Sequence, residues 1–150
     1  MGSDGYLLLT DFGMAKELKG DEVATSFVGT LDYIAYEIMQ MKPYNKAVDW
    51  WGIGVLTYEL IVGFPPFYSK QAHQMDNQMQ QINMQKKSIE NPIKFPPPKY
   101  NIAMSDDCKD FIRKCLSLDP TERLGSKNDV DEILEHPWFK SINKEAIYKK

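Results

Sequence analysis

At 150 residues the chain has the size of one domain or a piece of one. Hydrophobic residues make up 43% and charged residues 26%, an ordinary globular balance that excludes disorder, collagen-like repeats and a disulfide-dense scaffold. A formal charge of −3 excludes a nucleic-acid binder that works through a strong basic field, so no nucleic-acid partner is expected.

Taken in chain order, Asp4-Gly5 reads as a turn, and the short apolar run Tyr6 to Thr10 behind it reads as a strand. Asp11-Phe12-Gly13 then opens a polar stretch without periodicity that reaches Gly29-Thr30 and reads as a loop. Asn45 is placed to cap a helix over 46–62, stopped by Gly63 and then Pro65. Val48, Trp51, Ile53, Val55, Leu56, Tyr58, Leu60 and Ile61 cover most of its circumference, which places it in the middle of a core.

Residues 71–87, rich in Gln and Met, read as one helix with Met75, Met79 and Ile82 inward. The stretch 91–100 holds Pro96-Pro97-Pro98, cannot continue a helix, and reads as a surface loop. Ser105 caps a helix through Leu116, with Asp106-Asp107 on its positive end and Phe111, Ile112, Cys115 and Leu116 inward. A last helix starts at Asp129 and ends before Pro137. Cys108 and Cys115 share a helix face and read as buried free thiols in preference to a metal or redox pair. The sum is a mainly α unit with one short β segment.

No membrane partner is expected. The apolar tract from Trp50 to Phe67 is interrupted by Glu59 and ended by Pro65-Pro66, and Met1-Gly2 is followed by Tyr6 where a myristoylation signal needs Ser or Thr. With no secretory signal in view, the expected location is the cytoplasm or nucleus.

Asp-Phe-Gly alone is a weak signal; the ordered series is specific. Asp11-Phe12-Gly13, Gly29-Thr30, Glu37, Asp49-Trp50, Pro65-Pro66-Phe67, Arg123-Leu124-Gly125 and His136-Pro137-Trp138-Phe139 follow one another at kinase-like spacing. Over nearly the whole chain the series resembles the C-terminal half of a eukaryotic serine/threonine protein kinase. Thr10, Ser26-Phe27-Val28-Gly29-Thr30 and Asp49-Trp50-Trp51 are similar to the group that includes the cyclic-nucleotide-dependent kinases, the AGC group.

The resemblance implies an incomplete kinase C-terminal lobe. Residues 10–37 would hold the metal motif and activation segment, residues 38–139 the helical lobe, and residues 140–150 a short tail. It implies ATP and Mg2+ as cofactors, with Asp11 as the metal ligand and Thr10 near the adenine. Thr30 would bond the catalytic aspartate. Ser26 matches the activating phosphosite, modified by an upstream kinase, and Lys16 matches one cationic partner of that phosphate. Glu37 and Arg123 would form a buried structural ion pair. Asp49 would accept backbone N–H groups of the catalytic loop. Glu59 is similar to the carboxylate that reads an arginine before the acceptor, and Phe27, Leu31 and Ile34 to an apolar pocket for the residue after it. Protein substrates with basic residues before the acceptor follow.

Two positions depart from the family pattern. Tyr36 stands where the family's Ala-Pro-Glu has proline, and Leu31 where Gly-Thr-Pro-Glu has it. The glycine-rich loop, the strand lysine and the His-Arg-Asp loop would all precede Asp11 and are not encoded, so the chain alone is expected to transfer no phosphate. Met1 to Gly5 reads as the interior of a longer run, and a fragment of a longer kinase is expected. A non-catalytic lobe acting as a binding module or decoy, and a fragment of a pseudokinase, remain as alternatives.

Overall fold

The computed structural model describes residues 5–143 and 145–146, so the readings at Met1 to Asp4 lie outside the described residues. Its helices in chain order are α1 (Tyr36–Met39), α2 (Ala47–Val62), α3 (Lys70–His73), α4 (Gln78–Ile89), α5 (Asp106–Cys115) and α6 (Asp129–Glu135). Among the described residues four single 3-10 turns, Phe12–Met14, Leu31–Tyr33, Pro98–Tyr100 and Pro137–Phe139, punctuate the connections. The architecture is mainly α, as the sequence indicates.

The expected β segment is different. Tyr6 to Thr10 joins no sheet among the described residues, and Leu7, Leu8 and Leu9 stand exposed. A strand exists only through a paired neighbouring strand, and no described segment forms a ladder with this run. The β contact that forms among the described residues is the antiparallel bridge between Ala24 and Tyr44, closed by N–H to C=O bonds of 2.8 and 2.9 Å.

Asn45 Oδ1 accepts the N–H of Ala47 at 3.0 Å, and Gly63 ends α2 at φ 96°, where its N–H reaches Glu59 O. Trp51, Val55 and Tyr58 turn inward and form the core with Phe111, Ile112 and Cys115 of α5. The opposite stripe of α2 is not covered: Ile53 and Leu56 are partly exposed and Leu60 is 77% exposed. The helices α2 and α5 meet at Gly54, where a Cβ would stand 2.7 Å from that of Cys115. Only glycine permits that approach.

The Gln/Met stretch is two helices rather than one. Ser69 Oγ caps α3 by accepting Ala72 N–H, and Asn77 Oδ1 caps α4 by accepting Gln80 N–H, both at 3.2 Å. The inward face of α4 carries Ile82, Gln85 and Ile89, while Met79 is exposed. Ser105 Oγ accepts Cys108 N–H at 3.1 Å at the start of α5, and Cys108 and Cys115 are buried free thiols.

Behind α5, His136 is buried with Nε2 3.1 Å from Asp110 Oδ2, while its Nδ1 accepts Trp138 N–H at 3.3 Å. That pairing fixes the tautomer with the proton on Nε2. Trp138 and Phe139 then close on Phe111 at ring separations of 4.9 and 5.2 Å.

Candidate functional site

The stretch from Thr10 to Ala35 runs along one side of α2 and encloses a cavity of about 890 Å3. Thr10, Asp11, Lys16, Ser26, Thr30 and Asp49 all line it. Residues far apart in sequence and singled out by motif alone thus share one concavity.

Asp11 holds φ 63°, ψ 69°, the left-handed region that a non-glycine residue occupies at a cost of about 1 kcal/mol or more. Such strain persists where surrounding structure imposes it, and it is concentrated at functional sites. The carboxylate is exposed toward the cavity, and a Cβ on Gly13 would lie 3.4 Å from its Oδ1. Asp11 makes no hydrogen bond or ion pair with another described side chain, so its oxygens are open to a ligand. Magnesium fits this donor: it is commonly held by one or two carboxylates plus the phosphates of a nucleotide.

Ser26 is fixed from the far side of the loop. The Ala24–Tyr44 bridge lays the segment against the turn before α2, Tyr44 Oη donates to Ser26 O at 3.0 Å, and Ser26 Oγ lies 2.9 Å from Tyr44 Oη. Lys16 lines the same cavity but is not bonded to Ser26. Tyr44 was not legible as part of this site, because nothing in its spacing relates it to Ser26.

Asp49 is exposed on α2, and no described group donates a hydrogen bond to it. Partial desolvation by its surroundings, and then the charge of Asp129, raise its carboxyl above the ordinary value. A donor opposite it would relieve both.

A second cluster forms where the 3-10 turn Leu31–Tyr33 meets α2, α3 and α4. Tyr33 Oη donates to Glu59 Oε2, which pushes the phenol up to about 12. Asp32 Oδ2 pairs with His73 Nε2 at 2.8 Å, and Gln85 Nε2 points at Asp32 Oδ1 from 3.5 Å. Burial raises the Asp32 carboxyl; His73 pulls it down and Glu59 pushes it up again. Glu59 and Asp32 make this corner acidic. Phe27 and Leu31 pack partly buried against the core, and Ile34 is buried beneath the cavity floor. Tyr36, in the proline position, donates to Glu90 at the end of α4 at 2.6 Å.

Glu37 and Arg123 meet in a bidentate pair at 2.7 and 2.8 Å, with Arg123 wholly buried. The rest of the guanidinium is satisfied by Ala47 O and Ser117 O, and it stacks 5.2 Å from the Trp51 ring centre. The pair ties α1, at the end of the loop, to the turn after α5.

In sequence, residues 1–139 match the protein kinase domain, and the chain belongs to that family. Its relatives include serine/threonine-protein kinases and cAMP-dependent protein kinase catalytic subunits, kinases of the AGC group. It is 39% identical over 147 residues to serine/threonine-protein kinase sgk-1 of Caenorhabditis elegans, covering 97% of this chain and 29% of that protein. It is 42% identical over 148 residues to cAMP-dependent protein kinase catalytic subunit 3 of Drosophila melanogaster, covering 98% and 23%. Human serine/threonine-protein kinase Sgk2 is 35% identical over 147 residues, covering 97% and 36%. The chain thus spans about a quarter to a third of the length of these relatives.

Proposed function

We propose that this chain forms the metal-holding and substrate-facing part of a serine/threonine kinase that transfers the γ-phosphate of ATP to proteins with basic residues before the acceptor. The observation that carries the reading is Asp11, strained, exposed and without a bonded partner among the described residues, at the edge of the cavity that also holds Thr10, Ser26 and Thr30. Kinase catalysis is chiefly positioning and neutralisation of phosphate charge, and Mg2+ held by Asp11 would supply the second. Thr10 would stand near the adenine, and Thr30 would orient the catalytic aspartate, which the sequence does not contain.

Ser26 is the modification site in this reading. A phosphate there brings nearly two negative charges and needs cationic partners; Lys16 on the same cavity supplies one, and Tyr44 is within bonding distance of the serine oxygen. At the acidic corner, Glu59 takes the guanidinium of an arginine before the acceptor. Tyr33 holds that carboxylate in place and leaves its second oxygen for the substrate. Phe27, Leu31 and Ile34 present the apolar surface for the residue after the acceptor.

A peptide array phosphorylated by the enzyme from the full native reading frame tests this. Arginine before the acceptor is the expected preference, cut about tenfold by Glu59→Gln; acidic or proline-directed preference contradicts it. Binding of arginine peptides without any transfer by that protein supports the decoy reading instead.

A further inference from the structure

The loop with Pro96-Pro97-Pro98 has no part in the site described above, and its two ends are tied down. Tyr58 Oη donates to Lys94 O at 2.8 Å, and Phe95 lies 6.0 Å from the Tyr58 ring and 4.7 Å beneath the Arg113 guanidinium. On the other side, Met104 packs against the core. Between these anchors Pro97, Pro98, Lys99 and Tyr100 are all exposed, Tyr100 to 61%.

Pro97 has φ −69°, ψ 157°, a polyproline II residue. Pro98–Tyr100 make one 3-10 turn, closed by Tyr100 N–H to Pro97 O and Asn101 N–H to Pro98 O at 3.1 and 3.0 Å. Lys99 Nζ sits 5.1 Å over the Tyr100 ring, and no described group hydrogen-bonds the Tyr100 hydroxyl. A large aromatic is therefore held mostly exposed, with no described hydrogen-bond partner for its hydroxyl.

Proline segments bind well because their backbone is preset and loses little freedom on docking. Pro97 alone already holds the polyproline II conformation; once Pro98 to Tyr100 extends into that helix, with three residues per turn, Pro97 and Tyr100 share one edge and Pro98 lies on the next. No two prolines of this loop stand three apart, so the Pro-x-x-Pro spacing of SH3 ligands is missing. The spacing present is Pro-Pro-x-Tyr.

We propose that Pro97-Pro98-Lys99-Tyr100 is a docking motif for a domain of the WW class. The prolines lie between the aromatic rings of its groove and Tyr100 fills the adjoining pocket. Lys94 and Lys99 make the surroundings cationic, which suits a groove with an acidic rim. Docking extends the Pro98–Tyr100 turn at the expense of two exposed backbone bonds, which water replaces. The motif acts independently of phosphoryl transfer, so the two readings stand or fall separately.

The probe is a purified WW domain that selects Pro-Pro-x-Tyr ligands, titrated calorimetrically with the full chain. Saturable one-to-one binding is expected, at least tenfold weaker for Pro97→Ala and for Tyr100→Ala. It stays within twofold of the parent for Pro96→Ala and for Tyr68→Ala, which removes the other Pro-Pro-x-Tyr run, Pro65 to Tyr68, whose Phe67 is buried against Trp51. The three loop variants should melt with the parent, since the changed side chains lie on the surface loop. Absence of saturable binding by the parent chain overturns the proposal, even where a peptide spanning 93–102 binds, because the fold then withholds the motif. Unaltered binding by Tyr100→Ala overturns it equally.

Discussion

Arg123 is fully buried, and its charge is offset by Glu37 and two backbone carbonyls. Removing one side of such a pair leaves an uncompensated charge inside, so Arg123→Met should cost about 3–5 kcal/mol, read from urea midpoints, against no more than about 1 kcal/mol for Arg113→Met, exposed on α5 with its guanidinium over the Phe95 ring. Neither periodicity nor composition relates two residues 86 apart; their order in a motif series did. Asp32–His73 and Tyr33–Glu59 had no such series behind them, and so went unread. Cys115 gives a pH test. Burial pushes its thiol from about 9 up to about 12. The unfolded thiol therefore ionises first as pH rises, and stability present below pH 9 is lost between about 9 and 12, by up to about 1.4 kcal/mol per pH unit. Tyr33 and Tyr58, whose phenols are also raised, act in the same sense. Cys115→Ala should flatten the stability profile above pH 9, whatever its absolute stability; an unchanged slope would show that the thiol titrates normally.

Helix limits were legible wherever a cap and a stop coincide. Asn45 with Gly63 bounded α2, and Ser105 bounded α5, because side-chain oxygens satisfy N–H groups that have no partner within the helix. The break between α3 and α4 has the same chemistry in Asn77, but it lies inside a Gln/Met run with neither Gly nor Pro and read as continuous helix. Tyr6 to Thr10 failed in the opposite way: its apolar run is strand-like, but a sheet depends on a neighbour that local sequence does not specify. The close approach of α2 and α5 at Gly54 was equally invisible, since it depends on what lies across the helix pair. Gly54→Ala would press a methyl into Cys115 and Leu116, and should destabilise by about 1–3 kcal/mol in chemical unfolding even though alanine favours helix.

At the scale of the molecule, the uncovered stripe of Ile53, Leu56 and Leu60 on α2 lies on the same helix as Asp49, which has no donor among the described residues, and Leu7, Leu9 and Phe12 are exposed as well. Apolar surface of this extent marks a contact face. Sedimentation of the 150-residue chain alone should show self-association rather than a clean monomer, relieved by Leu56→Glu together with Leu60→Glu. A cooperatively melting monomer would contradict that. The central claim, that Asp11 serves phosphoryl transfer, is tested most directly by joining this chain to the upstream half of the cAMP-dependent protein kinase catalytic subunit 3 it resembles at 42% identity. Transfer from ATP and magnesium to an arginine-containing serine peptide is the expected result, with kcat falling ~100-fold or more on Asp11→Asn. A chimera that melts cooperatively and transfers phosphate equally well with Asn at position 11 would contradict the account.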